Sequence, residues 1–514
     1  MAVKIILLVV FLAMMLGVGI YSRNKAKNVN DYVLGGRTVG PWISAFAFGT
    51  SYFSSVVFIG YAGQFGWKFG VASTWIGLGN AFIGSLLAWL ILGRRTRLMS
   101  QQLDAKTMPE YFGKRFDSKA LRIAGSIIAF VFLVPYTAGV YNGLSRLFGM
   151  AFDIDYRICV IIMAALTGAY VVIGGYMATA LNDFIQGIIM LIGICLVIGA
   201  VLAGKGGFTA ALQSLSQIPT DNSVTTEALQ GSQGLFASFF GPDPLALFGV
   251  IVLTSLGTWG LPQMVHKFYA IKDEKAVKTG TIVSTFFAII IAGGCYFLGG
   301  FGRLFGDAPG IVDAETGKVA YDSIVPAMLS TLPDILIGIV VVLVFSASMS
   351  TLSSLVLTSS STLTLDLIKP LKKKPMKDKT QLRLMQLFVV AFIVISVILA
   401  FNPPTFIAQL MGYSWGALAG AFLAPFLYGL YSKNISKAAV WASYILGVGF
   451  TIFNMFVPVI KSPINAGAVT MVAGLIIVPI VSALTPKVDR TKVDQMFTCY
   501  DKTVVVPETE NLGK

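Results

Sequence analysis

Long uninterrupted apolar runs, separated by short polar stretches, dominate the hydrophobic pattern of this chain. An α-helix of about 20 apolar residues is long enough to cross the hydrocarbon core of a bilayer. The runs lie at residues 2–21, 42–65, 70–93, 121–149, 157–176, 179–203, 244–266, 277–300, 335–365, 383–401, 405–430, 437–457 and 465–485. The pattern therefore predicts an all-α membrane protein with about 13 transmembrane helices.

Two of these predicted spans contain residues that interrupt a helix. The second span reads AFAFGTSYFSSVVFIGYAGQFG, and the seventh contains VLTSLGTWGLPQMV. Glycine lowers helix stability, and proline removes a backbone donor. The two segments each open a comparable group of five spans. Paired interrupted spans in corresponding positions indicate the binding site of a secondary transporter near the middle of the membrane.

A third feature is the stretch SASMSTLSSLVLTSSSTLTLD at residues 346–366, which continues an apolar run without a break. Inside a bilayer, polar groups must find partners or line a cavity. Helical spacing places Ala347, Ser350, Thr351 and Ser354 on one face, with Ser353 beside it. Neutral hydroxyl and carbonyl oxygens suit a hard monovalent cation such as Na⁺. For the later hydroxyls of residues 359–364, close packing between helices is the preferred interpretation.

The charges of the chain follow the predicted topology. Hydrophobic residues make up 56% of the 514 residues, charged residues make up 12%, and the formal net charge is +14. With the N-terminus outside, the predicted cytoplasmic loops and tail contain 30 of the 38 Lys and Arg residues. This asymmetry is the positive-inside rule, so we expect a multi-pass cell-membrane protein with a cytoplasmic C-terminus. The basic surplus indicates the lipid bilayer as partner and no nucleic acid.

Enzyme chemistry has little support in the sequence. The four cysteines show no metal-ligand spacing, and no phosphate-binding GxxxxGK[ST] loop of an ATP-driven pump is present. We therefore predict that the chain is not an enzyme and has no catalytic residues. His266 lies at the cytoplasmic end of a predicted span beside Lys267, and an interfacial position at the surface is the preferred interpretation for this histidine. Asp183, near the start of the sixth span, suits either a helix cap or a cation ligand.

Four motifs resemble the sodium/solute symporter family, which contains the bacterial proline, pantothenate and sialic acid carriers. They are AYVVIGGYMATALNDFIQG, FSASMSTLSSLVLTSSS, YVLGGRTVGPW and GLPQMVHKF. The resemblance implies the leucine-transporter fold, a 5+5 inverted repeat with one extra helix before it and two after it. It divides the chain into a single transmembrane domain (1–485), with repeats at 42–203 and 244–430, and a cytoplasmic tail (486–514).

The resemblance also implies a sodium site that is common to the family, and it leaves a second sodium site as a hypothesis. The first sodium site would use the carbonyls of Thr50, Phe53 and Ala347 and the hydroxyls of Ser350 and Thr351. A second sodium site, present in some members, would use Asp183, Ser350, Ser353 and Ser354. The candidate solute-binding residues beside the helix breaks are Ser54, Ser55, Gln64, Trp75, Tyr136, Thr258, Trp259 and Tyr413.

The function implied is sodium-coupled secondary symport of a small organic solute, an amino acid or an organic carboxylate, by alternating access. Na⁺ would be the coupling ion. A proton-coupled carrier on the same fold and a transporter-like sensor are the alternatives. The proline carriers typically carry an acid where this chain has Tyr52, and a Trp and a Tyr where it has Thr254 and Thr258. These departures count against proline as the solute.

Overall fold

The computed structural model describes residues 2–22, 28–221, 229–313 and 317–501. Within these ranges the chain is nearly all helical, with isolated β-bridges in place of strands. The helices up to the middle of the chain are α1 (Ala2–Ser22), α2 (Val29–Leu34), α3 (Pro41–Tyr52), α4 (Ala62–Phe69), α5 (Thr74–Gly79), α6 (Arg94–Gln102), α7 (Met108–Arg115), α8 (Lys119–Phe152), α9 (Tyr156–Ala203) and α10 (Phe208–Ser216). They are followed by α11 (Pro244–Leu256), α12 (Pro262–Tyr269), α13 (Glu274–Gly299), α14 (Tyr321–Ser330), α15 (Asp334–Thr362), α16 (Lys369–Leu371), α17 (Asp378–Phe401), α18 (Ile407–Tyr431), α19 (Lys437–Tyr444), α20 (Phe450–Phe456), α21 (Pro463–Leu484) and α22 (Arg490–Phe497).

Several α-helices join through short distorted turns. The π-helical turns are Val56–Tyr61, Asn80–Leu87, Trp89–Gly93, Leu363–Ile368 and Ile445–Gly449. The 3₁₀ turns are Gly35–Arg37, Gly70–Ser73, Leu235–Ala237, Gly257–Trp259, Gly302–Phe305 and Thr498–Tyr500. Such distortions free backbone groups, which in a membrane must be buried in protein or line a cavity.

Ten helices of the described chain are long and apolar enough to cross a membrane, or eleven if the bent pair Pro244–Trp259 and Pro262–Tyr269 is one span. Two of the ten are much longer than a bilayer requires. Val56–Gln102 has 47 residues, and Tyr156–Ala203 has 48 residues with a non-helical turn at Gly175 (φ 54°). Each extends over two of the spans expected from the sequence. The count of about 13 spans stays a prediction.

The hydroxyl-rich helix α15 lies at the centre of the molecule. It packs against α9, α8, α1, α17 and α3, and every residue from Leu343 to Thr362 is buried. By contrast, α1 and α17 expose large apolar side chains such as Ile20 and Ile398, as lipid-facing helices do. The hydroxyls therefore face protein rather than lipid.

Candidate ion and solute site

The first interrupted span breaks directly after α3. Tyr52 is the last helical residue, and Phe53 has extended backbone angles (φ −110°, ψ 101°) before the chain becomes helical again. The last carbonyls of a helix have no partner within the helix, and they carry the negative end of its dipole. The sequence folds this way because AFGTSYFSS combines a glycine with hydroxyl residues that compete for backbone hydrogen bonds. The break therefore presents carbonyl oxygens inside the protein.

The hydroxyl face of α15 lies against this break. The Ser350 hydroxyl donates to Thr50 Oγ1 over 2.8 Å, and the Thr351 hydroxyl donates to the Ser51 carbonyl over 3.2 Å. The hydroxyls of Ser51 and Ser354 are 2.9 Å apart. These contacts join two segments about 300 residues apart in the sequence. The face formed by residues 347–354 is thus turned toward the break.

The predicted first sodium site is therefore brought together from both segments. Its five residues are all buried, with exposed fractions of 2% or less: Thr50, Phe53, Ala347, Ser350 and Thr351. All of them offer neutral oxygens, the ligand type that suits a monovalent hard cation. The donor set fits Na⁺, and the assignment of individual ligands stays a prediction.

Asp183 is fully buried on α9, and it has a charged partner that the sequence reading missed. Lys267 Nζ lies 3.2 Å from Asp183 Oδ2, and the exposed fractions of the two side chains are 3% and 0%. The prediction that His266 lies at the surface is wrong, because every residue of α12 is buried and the helix packs on α3 and α15. Lys267, which the sequence places in the cytoplasmic loop after the seventh span, is buried with it. The available signal was the acid within the sixth span, because a lone charge is costly in a membrane and needs a partner.

The remaining residues of the predicted second sodium site divide between two neighbourhoods. The hydroxyls of Ser353 and Ser354 donate to the Ser350 carbonyl over 2.9 Å and 3.0 Å. Tyr170 lies near both Ser353 and Asp183, and its hydroxyl donates to the Met349 carbonyl over 3.5 Å. Ser354 instead contacts Ser51 at the break. Only part of the predicted set therefore surrounds the Asp183 carboxylate.

Several predicted solute residues line the two breaks. Ser54 and Ser55 are buried immediately after α3, and the Ser55 hydroxyl donates to the Val140 carbonyl over 2.8 Å. At the second break, the Thr258 hydroxyl contacts the Gly84 carbonyl at 3.2 Å, and Trp259 Nε1 donates to the Ile83 carbonyl over 3.0 Å. Tyr136 is buried, and its ring is 5.7 Å from that of Trp415.

Three other predicted solute residues lie in different surroundings. Trp75 Nε1 donates to the Phe239 carbonyl over 2.9 Å, and Phe239 lies in the loop before α11. Gln64 is buried and lines a cavity of about 100 Å³ together with Lys68. Tyr413 is half-buried. Within the described part of the chain, the contacts of these three side chains do not reach either break.

A group of buried polar residues near the breaks was not predicted. Tyr52 donates to the Thr254 carbonyl over 2.5 Å, and its ring is 6.4 Å from Trp415. In the described structure, four neighbouring atoms have no hydrogen-bond partner: Tyr61 Oη, Asn80 Nδ2, Tyr296 Oη and Trp415 Nε1. Buried polar atoms normally have partners, so these four atoms are candidates for contact with a solute. Asn80, alone in the apolar run GLGNAFIG, was the available signal.

Two broken spans, with carbonyl and hydroxyl oxygens at one break and unpaired polar atoms close by, define a secondary membrane transporter. Solved structures share this fold. A sialic acid symporter, described as Na⁺-coupled, matches with a TM-score of 0.75, 17% identity, and coverage of 95% of this chain and 98% of that chain. The nucleobase-cation-symport-1 family transporter MHP1 matches with a TM-score of 0.51, 12% identity, and coverage of 90% and 97%.

A sequence profile of the sodium:solute symporter family matches residues 32–447, and the chain belongs to this family. The osmoregulated proline transporter OpuE of Bacillus subtilis is 29% identical over 478 residues, covering 91% of this chain and 92% of the relative. The sodium/proline symporter of Escherichia coli is 27% identical over 459 residues, covering 87% of each. The chain is a multi-pass, sodium-coupled solute importer with Na⁺ as its coupling ion.

Proposed function

We propose that this symporter imports a small zwitterionic amino acid, which binds between the two helix breaks next to Tyr136 and Trp415. The observation that carries the proposal is the group of unpaired polar atoms near the two breaks, on Tyr61, Asn80, Tyr296 and Trp415. An amino group and a carboxylate supply the complementary donors and acceptors.

The lack of charge on these side chains supports a solute without net charge. Tyrosine, asparagine and tryptophan side chains stabilise partial charges through hydrogen bonds, but they do not neutralise a full charge. Burying an unpaired charge is costly, whereas a zwitterion carries its own counter-charge. Two relatives are named as proline transporters, which supports the amino-acid class. An organic carboxylate is the competing solute class.

In this proposal, Na⁺ binds the carbonyls of Thr50, Phe53 and Ala347 and the hydroxyls of Ser350 and Thr351. The ion would hold the end of α3 in place, and the same break borders the solute region. Sodium binding therefore raises solute affinity, and by linkage the solute raises sodium affinity equally.

The charge distribution supports an orientation with the N-terminus outside and the C-terminal tail in the cytoplasm. Lys and Arg cluster in loops such as 94–122 and 369–383, which would then face the cytoplasm. The plasma membrane is the proposed location.

A thermal-shift screen of the purified protein tests the solute class. Amino acids, including proline, and organic carboxylates are added in NaCl or in choline chloride. We expect one or a few small amino acids to raise the melting temperature, and to do so more strongly in NaCl. Stabilisation by carboxylates that lack an amino group would contradict the amino-acid proposal.

Uptake into proteoliposomes then tests the coupling. We expect accumulation of the stabilising solute when an inward Na⁺ gradient is imposed. Accumulation that persists in choline and collapses with a protonophore would show proton coupling instead.

A further inference from the structure

The Asp183–Lys267 ion pair bears on how many sodium ions the carrier binds. Asp183 is the one formally charged residue of the second sodium site that the family resemblance implies. The Lys267 ammonium lies 3.2 Å from its Oδ2 atom, in a region where both side chains are almost completely buried. A positive charge attached to the chain thus already stands at this carboxylate.

We infer that Lys267 takes the place of the second sodium ion, so that the carrier binds and moves one Na⁺ per solute. The inference rests on the proposed first sodium site. It deepens the proposed function by fixing the ion count, and it concerns residues that the first site does not use, apart from their shared neighbour Ser350.

Charge balance at Asp183 favours a single cation. A sodium ion bound to Oδ2 would share this oxygen with the Lys267 ammonium, and two like unit charges on one buried oxygen repel each other strongly. A second acid beside the pair would offset that repulsion. In the part of the chain that the structure describes, the acid paired with Lys267 is Asp183 alone.

The hydroxyls beside the carboxylate are also engaged elsewhere. Ser353 and Ser354 both donate to the Ser350 carbonyl, and Ser354 additionally contacts Ser51 at the break. Ser350 faces Asp183, but its hydroxyl donates to Thr50 in the first site. These hydroxyls therefore give their hydrogens to oxygens other than those of Asp183, and the Lys267 ammonium is the cation that stands at the carboxylate.

The surroundings of Lys267 hold the ammonium in place. Its Nζ atom lies 5.2 Å from the centre of the Tyr176 ring, which offers a cation–π contact. Lys267 belongs to α12, the segment that follows the second helix break, whereas Asp183 belongs to α9. A cation attached to α12 can separate from Asp183 when the helices move, yet it does not leave the protein. It thus neutralises the acid without adding a transported charge.

Equilibrium binding of radioactive Na⁺ to the purified carrier tests the ion count without any solute. We expect saturation at one ion per protein for the unmodified chain, and a Hill coefficient near 1 for sodium-dependent uptake. Saturation at two ions would overturn the inference. No saturable sodium binding at all would instead contradict the first site and the proposed function.

Variants of the Asp183–Lys267 pair test whether the ammonium limits the number of bound sodium ions to one. Lys267→Met removes the ammonium and should raise saturation from one ion to two, whereas Lys267→Arg should leave it at one. The double variant Lys267→Met/Asp183→Asn should return to one ion, and the exposed Lys272→Met serves as the matched lysine control. A folded Lys267→Met protein that still binds one ion would contradict the role given to the ammonium. The measurement on the unmodified chain stands even if a variant fails to fold.

Discussion

Among single residues, Ser350 connects the two segments of the site most directly. Its hydroxyl reaches Thr50 across the break, its carbonyl accepts from Ser353 and Ser354, and its side chain faces Asp183. A change at this one position therefore tests whether the contact between α15 and α3 serves ion binding.

We predict that Ser350→Ala raises the Na⁺ concentration needed for half-maximal uptake by about tenfold or more. The reason is the loss of one oxygen that contacts a charged ligand, which typically costs about 1.5–3 kcal/mol. The measurement is the sodium dependence of solute uptake in proteoliposomes. Ser361→Ala is the matched control, because Ser361 is buried on the same helix and donates only to carbonyls of its own helix, those of Leu357 and Thr358. Equal sodium dependence in both variants would remove Ser350 from the site.

Asp322 gives a prediction about pH. It lies on α14, outside the candidate spans, and burial raises its pKa to about 6 from the ordinary 3.8. The folded protein therefore binds a proton more tightly than the unfolded chain, so stability falls as the pH rises from about 4 through 6. At pH 7.5 the buried carboxylate costs up to about 3 kcal/mol.

We predict that Asp322→Asn raises the melting temperature at pH 7.5, and that roughly half of the free-energy gain disappears at pH 5. The asparagine carbonyl can still accept the hydrogen bond that Asp322 receives from the Ile407 amide at 3.2 Å. Thermal unfolding in detergent at the two pH values measures the effect. The exposed Asp307→Asn is the control and should show no such difference. A gain of equal size at both pH values would argue against titration of Asp322.

The site residues differ in how far the sequence could predict them. Ser350 and Thr351 were predictable because helical spacing alone puts them on one face, and a hydroxyl cluster inside a bilayer needs a reason. Lys267 could not be predicted as a site residue, because its burial depends on how α12 packs among the other helices after the break. Tyr61 and Asn80 could not be predicted either, because an aromatic or a lone amide in an apolar run is equally consistent with packing.

At the scale of helices, glycines allow α4 to touch α13 through their backbones. A Cβ atom on Gly66 would overlap the carbonyl of Gly299, and one on Gly299 would overlap the carbonyl of Ala62. This close contact fixes the segment that follows the first break against a long membrane helix. The residues of α4, which follow the first break, are therefore held against α13.

We predict that Gly66→Ala lowers stability by about 1–3 kcal/mol or more, because the methyl group forces the two backbones apart. Gly17→Ala in α1 is the matched control. No atom lies within 4 Å of its added Cβ, so it should be neutral or stabilise the protein by up to about 1 kcal/mol. Melting temperatures of the two purified variants provide the comparison. Similar values would contradict the backbone contact.

The sequence predicted the all-helical fold and both interrupted spans, because hydrophobic length and helix-breaking residues are local signals. The residues at which helices begin and end were harder to predict. The chain passes from one predicted span to the next within Tyr156–Ala203 through a turn at Gly175 rather than through a loop. An added Cβ on Gly175 would lie 2.7 Å from Tyr32, so this contact with a distant segment, like the positive φ, requires glycine here.

For the molecule as a whole, the proposed orientation can be checked at two exposed positions. Phe239 lies in the loop before α11, and Lys373 lies between α16 and α17. In a background without the four native cysteines, we expect Phe239→Cys to react with a membrane-impermeant thiol reagent in intact cells. Lys373→Cys should react only after the membrane is opened. The reverse pattern would invert the topology.

The ion count also sets how strongly the carrier can concentrate its solute. One sodium ion moving through about 100 mV releases about 2.3 kcal/mol, and a tenfold gradient adds about 1.4. Together they sustain a solute ratio of about 500, and two ions would square that ratio. We predict a limit near the lower value in proteoliposomes held at these gradients. Steady-state accumulation far above it would require a second ion.

The hydroxyls of Ser350 and Thr351 on α15 also bear on how the empty carrier returns to its starting conformation. Ser350 and Thr351 already have acceptors at Thr50 and Ser51, and a hydroxyl can turn its lone pairs toward an ion without moving its oxygen. The predicted first sodium site contains only neutral oxygens, so an empty carrier would have no uncompensated charge at this site. We therefore expect the empty carrier to return to the opposite side of the membrane without a counter-transported cation.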